Sequence, residues 1–246
     1  MDRELEFMRD LGNDELGVFV DVMRTKGDLT ESLSSSDEYA EYGDDYEAYV
    51  PRIVEEYQLF GSNSIWTTFF DPNSYREILL DVANQMKLGV HKGWSTTAIE
   101  ERLLEVVLER SWQAMGWEER RKFLAMLRDA AGKDAADAFA VSRGAVSSAA
   151  LIALFRAGGF ASYQMTAIIM NLVARAILGR GISLAGNALI MRSLGILAGP
   201  VGMAITGMWT LVSLAGPAYR VTIPCTILIA GFRRMHRYDS DWDSDE

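Results

Sequence analysis

Apolar positions in the first half of the chain recur at helical spacing. Leu16, Phe19, Val20 and Met23 fall at i, i+3, i+4 and i+7 behind Asn13, which predicts a short amphipathic helix from Asp14 to Arg24 with Asn13 as its N-cap. A small helix from Arg3 to Asp10 is expected before it. Tyr46, Tyr49, Ile53 and Tyr57 form a second stripe. Ser74 to Glu77 has the spacing of a capping box, in which hydroxyl and carboxylate satisfy unpaired first-turn amides, and Ile78, Leu79, Val82 and Met86 follow on one face. Thr97 to Glu100 repeats that spacing ahead of a wide stripe made by Leu103, Leu104, Val107, Leu108, Trp112 and Met115. A further helix is predicted from Glu118 to Ala131, burying Phe123, Leu124 and Leu127. No segment has the period of a strand.

Beyond Gly132 the texture changes to Ala, Gly, Ile, Leu and Met. Two uncharged stretches, Ala157 to Ala174 and Ser193 to Tyr219, are separated by a linker bearing Arg175, Arg180 and Arg192, and a third, Val221 to Phe232, follows Arg220. Small residues at four-residue intervals, as in Gly195 and Gly199, let helix backbones approach closely. Pro200, Pro217 and Pro224 are expected to interrupt any helix that passes through them, and Gly179 to Gly181 to form a turn. The expected fold is all-α, an N-terminal amphipathic helical module followed by a Gly/Ala-rich apolar helical region. The expected divisions are a small helical module over 1–27, an acidic linker over 28–44, an amphipathic helical domain over 45–132, an apolar region over 133–238 and an acidic tail over 239–246.

Charge sharpens this division. The 246 residues carry a net charge of −10. Residues 1–140 hold 29 carboxylates against 15 basic groups, whereas 141–238 hold nine arginines, no lysine and no carboxylate. Soluble surfaces ordinarily intersperse both signs. The start lacks the positive, apolar character of a secretory leader, so export through one is not expected.

Recognisable catalytic chemistry is missing. One cysteine, Cys225, and two histidines, His91 and His236, supply neither a disulfide framework nor a multi-thiolate zinc site. No phosphate-binding loop, dinucleotide fingerprint, nucleophile elbow or zinc-hydrolase motif occurs. His91 reads as a loop residue and Cys225 as a small core residue. Alternating Asp239, Asp241, Asp243 and Asp245 lack the glycine and glutamate of a calcium loop. Glu77 and Asp81, one turn apart, suit an exposed helix face better than an acid and base pair. No catalytic residue, metal ligand or cofactor is expected, and scattered arginines between acidic ends do not suit nucleic acid.

Three strings, Tyr75-Arg76-Glu77-Ile78-Leu79-Leu80-Asp81-Val82, Leu103-Leu104 through Trp112, and Ala218-Tyr219-Arg220-Val221-Thr222-Ile223-Pro224, resemble the YaaW-like bacterial proteins. That family is loosely grouped with the ubiquinol–cytochrome c chaperones, helical assembly factors for a membrane complex. The resemblance marks Tyr75, Arg76, Asp81, Tyr219 and Pro224 as family-motif residues without assigning them a role.

Two kinds of function are consistent with the pattern. In the first, the apolar region docks on or inserts into an anionic membrane from the cytoplasmic side, with Arg175, Arg180, Arg192 and Arg220 at the margins where guanidiniums can snorkel to head groups. An 18-residue helix spans about 27 Å against a hydrocarbon core of about 30 Å, so Ala157 to Ala174 is barely long enough. In the second, the arginines pair with carboxylates of residues 1–140, the apolar helices form an internal core, and the protein is a chaperone-like adaptor for membrane-protein partners. Oligomers are compatible with either.

Overall fold

The computed structural model describes residues 1–26, 31–61, 72–125, 127, 147–179 and 217–244. Among these residues every regular element is helical. A 3-10 helix, Arg3–Asp10, leads into α1 (Asn13–Lys26), α2 (Glu31–Ser34) and α3 (Asp37–Tyr42). A second 3-10 turn, Tyr46–Tyr49, feeds α4 (Val50–Gly61), followed by α5 (Tyr75–Gln85), α6 (Thr96–Ala114) and α7 (117–125). The apolar region contributes α8 (Ser148–Ala157), α9 (Gly159–Leu178) and α10 (Pro217–Ser244).

Local chemistry explains most of the boundaries. Ser74 Oγ accepts from the Glu77 amide while the Glu77 carboxylate accepts from the Ser74 amide, so the first predicted capping box forms. The second does not. Ser95, not Thr97, caps α6 by accepting from Ala98 N, which starts the helix earlier and leaves Glu100 in its body. Asn13 also departs from expectation. Its Oδ1 accepts from Tyr46 N at 2.7 Å and its Nδ2 donates to the Asp44 carbonyl at 2.8 Å, so it ties α1 to a distant turn instead of capping its own helix.

That tie orders the segment expected as an acidic linker. Ser36 caps α3 through Tyr39 N, Asp37 and Glu38 sit in its first turn where the helix dipole favours negative charge, and the rings of Tyr46 and Tyr49 are buried behind it. The linker expectation over 28–44 therefore holds at most for residues outside α2 and α3.

One apolar core runs through both halves of the chain, joining Phe19, Tyr57 and Leu103 to Phe155, Ile169 and Leu228. At its centre α9 and α10 lie antiparallel, with Tyr163 beside Tyr238 at one end and Met170 beside Gly231 further along. The expected interruption of α10 at Pro224 does not occur. Pro217 opens the helix, where its missing N–H has no intrahelical partner to lose. Pro224 lies inside, and the segment 221–232 is buried on every face, so tertiary packing offsets the roughly 3 kcal/mol interior penalty. Pro200 lies outside the described residues.

Gly231 sets how closely these helices approach. A Cβ there would fall inside van der Waals contact of Met170 Cγ and Sδ, both within the core. Gly231→Leu is expected to lower unfolding free energy by about 1–3 kcal/mol through overpacking. Met170→Ala in the same chain should recover part of that loss, so that urea denaturation of the double variant shows a cost smaller than the sum of the singles.

Candidate functional site

The charged residues of the two halves meet along α6. Glu100, 2% exposed, accepts from Tyr75 Oη at 2.6 Å, and Arg233 Nε lies 3.1 Å from its Oε1 and 2.9 Å from its Oε2. Arg233 also donates to the Glu4 carbonyl and stacks over the Phe7 ring at 4.3 Å. The next residue, Glu101, pairs with Arg234, which donates to the Phe155 carbonyl at 2.8 Å and Ser162 Oγ at 2.6 Å. Glu105 receives Arg156 through two hydrogen bonds of 2.5 and 2.7 Å and Arg102 through one of 3.2 Å. Three arginines of the carboxylate-free block are thus held by three glutamates of the acidic block.

These pairs differ electrostatically. Burial pushes the Glu100 carboxyl up, and the Arg233 guanidinium and Tyr75 hydroxyl pull it back only in part. At Glu105 burial also raises the carboxyl, but the hydrogen bonds and charges of Arg156 and Arg102 outweigh it and hold the group below the usual range. Tyr75 and Tyr57 are driven well above the ordinary tyrosine value, chiefly by burial. Both therefore act as neutral hydroxyls at physiological pH. Tyr57 Oη lies 2.8 Å from Thr226 Oγ1, a second polar link between α4 and α10 inside the core. The network holds helices together; its members are committed to one another.

The family-motif residues fall into this framework. Tyr75 is the buried donor to Glu100, and its own amide donates to Asp2 Oδ2 at 2.6 Å. Arg76 donates to the carbonyls of Lys92 and Trp94 and to Thr96 Oγ1, clamping the connector before α6. Asp81 is exposed, and Glu77 is occupied by its cap, so the two carboxylates do not converge. Burial and the Glu77 charge raise Asp81. Tyr219 packs partly buried against the core and Pro224 is buried in α10.

Of the arginines expected at apolar margins, Arg175 is half-buried in the last turn of α9, and Arg220 is exposed near the start of α10. Arg180 and Arg192 lie outside the described residues. Arg156, Arg233 and Arg234, which periodicity did not single out, make the pairs. Cys225 is fully buried and its thiol is raised by burial, and His91 sits in an exposed turn where its Nδ1 accepts from Gly93 N. Among the described residues no three His, Cys, Asp or Glu side chains gather as a metal site.

A cavity of about 250 Å3 opens where the α8–α9 corner meets the end of α10. Its lining includes Glu101, Ser162, Arg234 and Arg237 together with Tyr163 and Tyr238. The corner itself is Gly158-Gly159, with φ of 79° and 68°, a region that side chains with a Cβ rarely adopt. The cleft is not visible in the sequence because Glu101 lies 133 positions before Arg234.

Removing one partner of a buried pair exposes its cost. Arg233→Met should destabilise by about 3–5 kcal/mol at pH 7, because Glu100 stays buried without its counter-charge. A carboxyl raised in the folded state binds its proton more tightly there than in the unfolded chain. Stability linked to Glu100 therefore rises as pH falls below its folded value. The deficit of Arg233→Met should accordingly shrink between pH 7 and pH 5 in denaturant titrations, and adding Glu100→Gln should remove most of that pH dependence. Glu105 has the opposite sign, so the contribution lost in Arg156→Gln is one that is present at neutral pH and fades on acidification.

The chain is 44% identical over 238 residues to a UPF0174 protein of Helicobacter pylori, covering 94% of this chain and 91% of that one. A second UPF0174 protein of the same organism is 36% identical over 208 residues, 84% of this chain and 98% of the relative. UPF0174 protein YaaW of Escherichia coli is 35% identical over 187 residues, 74% of this chain and 70% of YaaW. No family model matches, and no solved structure matches. These relatives lend no support to the grouping with ubiquinol–cytochrome c chaperones. Extended over nearly the whole chain, the similarity shows that this protein belongs to the UPF0174 family, the YaaW-like proteins.

Proposed function

We propose that this protein acts without catalysis of its own, as a membrane-associated helical body attached to the cytoplasmic face of an anionic membrane. The attachment is assigned to the stretch Ser193 to Tyr219, with Arg192 and Arg220 at its margins. The observation that carries this reading is a contrast between two apolar stretches. Helix α9 is long and apolar enough to cross a bilayer, yet 83% of its apolar window is buried within the protein. Its apolar surface is already used. Ser193 to Tyr219 runs 27 residues without a charge, about 40 Å if helical, longer than a hydrocarbon core of about 30 Å. Arginines at such margins contribute about 1 kcal/mol each near an anionic surface.

A second reading, a chaperone-like adaptor that holds apolar segments of membrane-protein partners, takes its support from the enclosed α9 and from the three glutamate–arginine pairs that satisfy charge internally. Fractionation separates the two. Full-length protein is expected in the alkali-resistant membrane fraction and should float with phosphatidylglycerol vesicles. Replacing Arg192 and Arg220 with glutamine should weaken vesicle binding by roughly thirtyfold, the equivalent of about 2 kcal/mol. Recovery of the wild-type protein wholly in the supernatant, with no flotation, would falsify membrane attachment and favour the adaptor.

A further inference from the structure

We propose that the connector between α5 and α6 is a second membrane contact, where Lys87, Lys92 and the Trp94 indole dock on anionic lipid head groups. This rests on the attachment proposed above and adds where the helical body itself touches the bilayer. Residues 82–99 contain no Asp or Glu, inside a half of the chain otherwise rich in both. Lys87, His91 and Lys92 are exposed, and among the described residues neither lysine forms an ion pair. Asp81 feels the Lys92 charge without pairing with it, and Glu77 is occupied by the Ser74 cap. Backbone oxygens that would oppose an anion here are covered as well. The Met86 carbonyl accepts from Arg110 at 2.7 Å and the Leu88 carbonyl from Arg102 at 3.3 Å, so the negative end of α5 is masked by guanidiniums.

The backbone holds one of these lysines in an uncommon conformation. Helix α5 ends as Lys87 N donates to the Asn84 carbonyl at 3.0 Å and Leu88 N to the Ala83 carbonyl at 2.9 Å, a closure that places Lys87 at φ 56°. It is the only described residue other than glycine with a positive φ, at a position glycine fills without strain. Val90 and Trp94 lie half-buried against the core, and the His91 ring meets the Trp94 indole edge-on at 6.0 Å. Lysines beside a half-exposed indole suit a bilayer interface, where the ring sits at head-group level and the ammonium groups lie among phosphates.

The connector also fixes how the body lies. Thr96, which follows it, donates to the Glu4 carboxylate, and the Glu4 carbonyl accepts from Arg233. The connector therefore approaches the α9–α10 pair on the Arg233 side, whereas Leu178 and Pro217, which border the segment assigned above to the membrane, lie at the other end. A body held at both places has that helix pair lying along the bilayer surface.

Partitioning of the full-length protein onto phosphatidylglycerol vesicles, against phosphatidylcholine vesicles, tests the contact. Lys87→Gln with Lys92→Gln should weaken binding to the anionic vesicles by roughly thirtyfold. Arg121→Gln with Lys122→Gln, the same charge change on exposed α7 residues, should leave it unaltered. Lys87→Gly separates charge from folding, because it should raise Tm slightly while still weakening binding about fivefold. Brominated lipid should quench wild-type tryptophan fluorescence more than that of Trp94→Phe. Wild-type affinity in the double lysine variant, or an equal loss in the α7 variant, overturns the connector contact. If Arg192→Gln with Arg220→Gln still abolishes flotation in that case, the attachment reading survives alone. No flotation of the wild type sinks both. Lysine-dependent binding to soluble polyglutamate with no preference for anionic vesicles replaces the lipid by an acidic protein partner.

Discussion

Three carboxylates on α6 hold three guanidiniums from the apolar half of the chain, and the arrangement of the remaining helices depends on that contact. A stretch of 98 residues with nine arginines and no acid has no means of balancing its own charge. Glu100, Glu101 and Glu105 supply the balance from one helix, reaching α10 through Arg233 and Arg234 and α8 through Arg156. Desolvating such pairs costs much of what their attraction returns. Their larger effect here is on register. Faces rich in Ala, Ile, Leu and Gly pack in many nearly equivalent ways, whereas Arg233 reaches Tyr75, Phe7 and Glu100 together from only one.

The two charge blocks are therefore halves of one core, and the borders between them are borders of composition. Tyr57 and Thr226, 169 positions apart in sequence, share a hydrogen bond inside it. Gly231 and Met170 bring α10 against α9 so closely that Pro224 is carried within a continuous helix. Burial on all faces of 221–232 supplies what the missing backbone donor withdraws. The strings shared with YaaW-like proteins gain a physical meaning from the same geometry. Tyr75 donates into the ion pair, Arg76 fixes the connector to α6, and Tyr219 and Pro224 belong to the helix that carries the arginines.

Local patterns were legible where the energetics are local. The stripes beginning at Leu16, Tyr46, Ser74 and Leu103 all became buried helix faces, and the Ser74 cap formed as its spacing requires. Long-range competition decided the rest. Glu100 has the spacing of a cap residue, but Ser95 takes the cap and a distant arginine takes the carboxylate. Asn13 has the chemistry to cap α1, yet the amide of Tyr46 wins its oxygen. Arg156, Arg233 and Arg234 were invisible as a group because their partners sit 51 and 133 positions away. Nothing in a periodicity carries that information, and the count of arginines without nearby acids fits an anionic membrane as well as acids from residues 1–140.

The antiparallel α9–α10 pair gives the protein two chemically different ends. At the end of Leu178 and Pro217 the bordering sequence is apolar, and Arg175 and Arg220 lie within one turn of it. At the end of Ser162 and Tyr238 the groups are hydroxyls, guanidiniums and a carboxylate around a cavity, and α10 continues into the acidic residues beyond Tyr238. Helix α6 is joined to α10 near this polar end by the Glu100–Arg233 and Glu101–Arg234 pairs, so a displacement of α10 along its axis would have to break both.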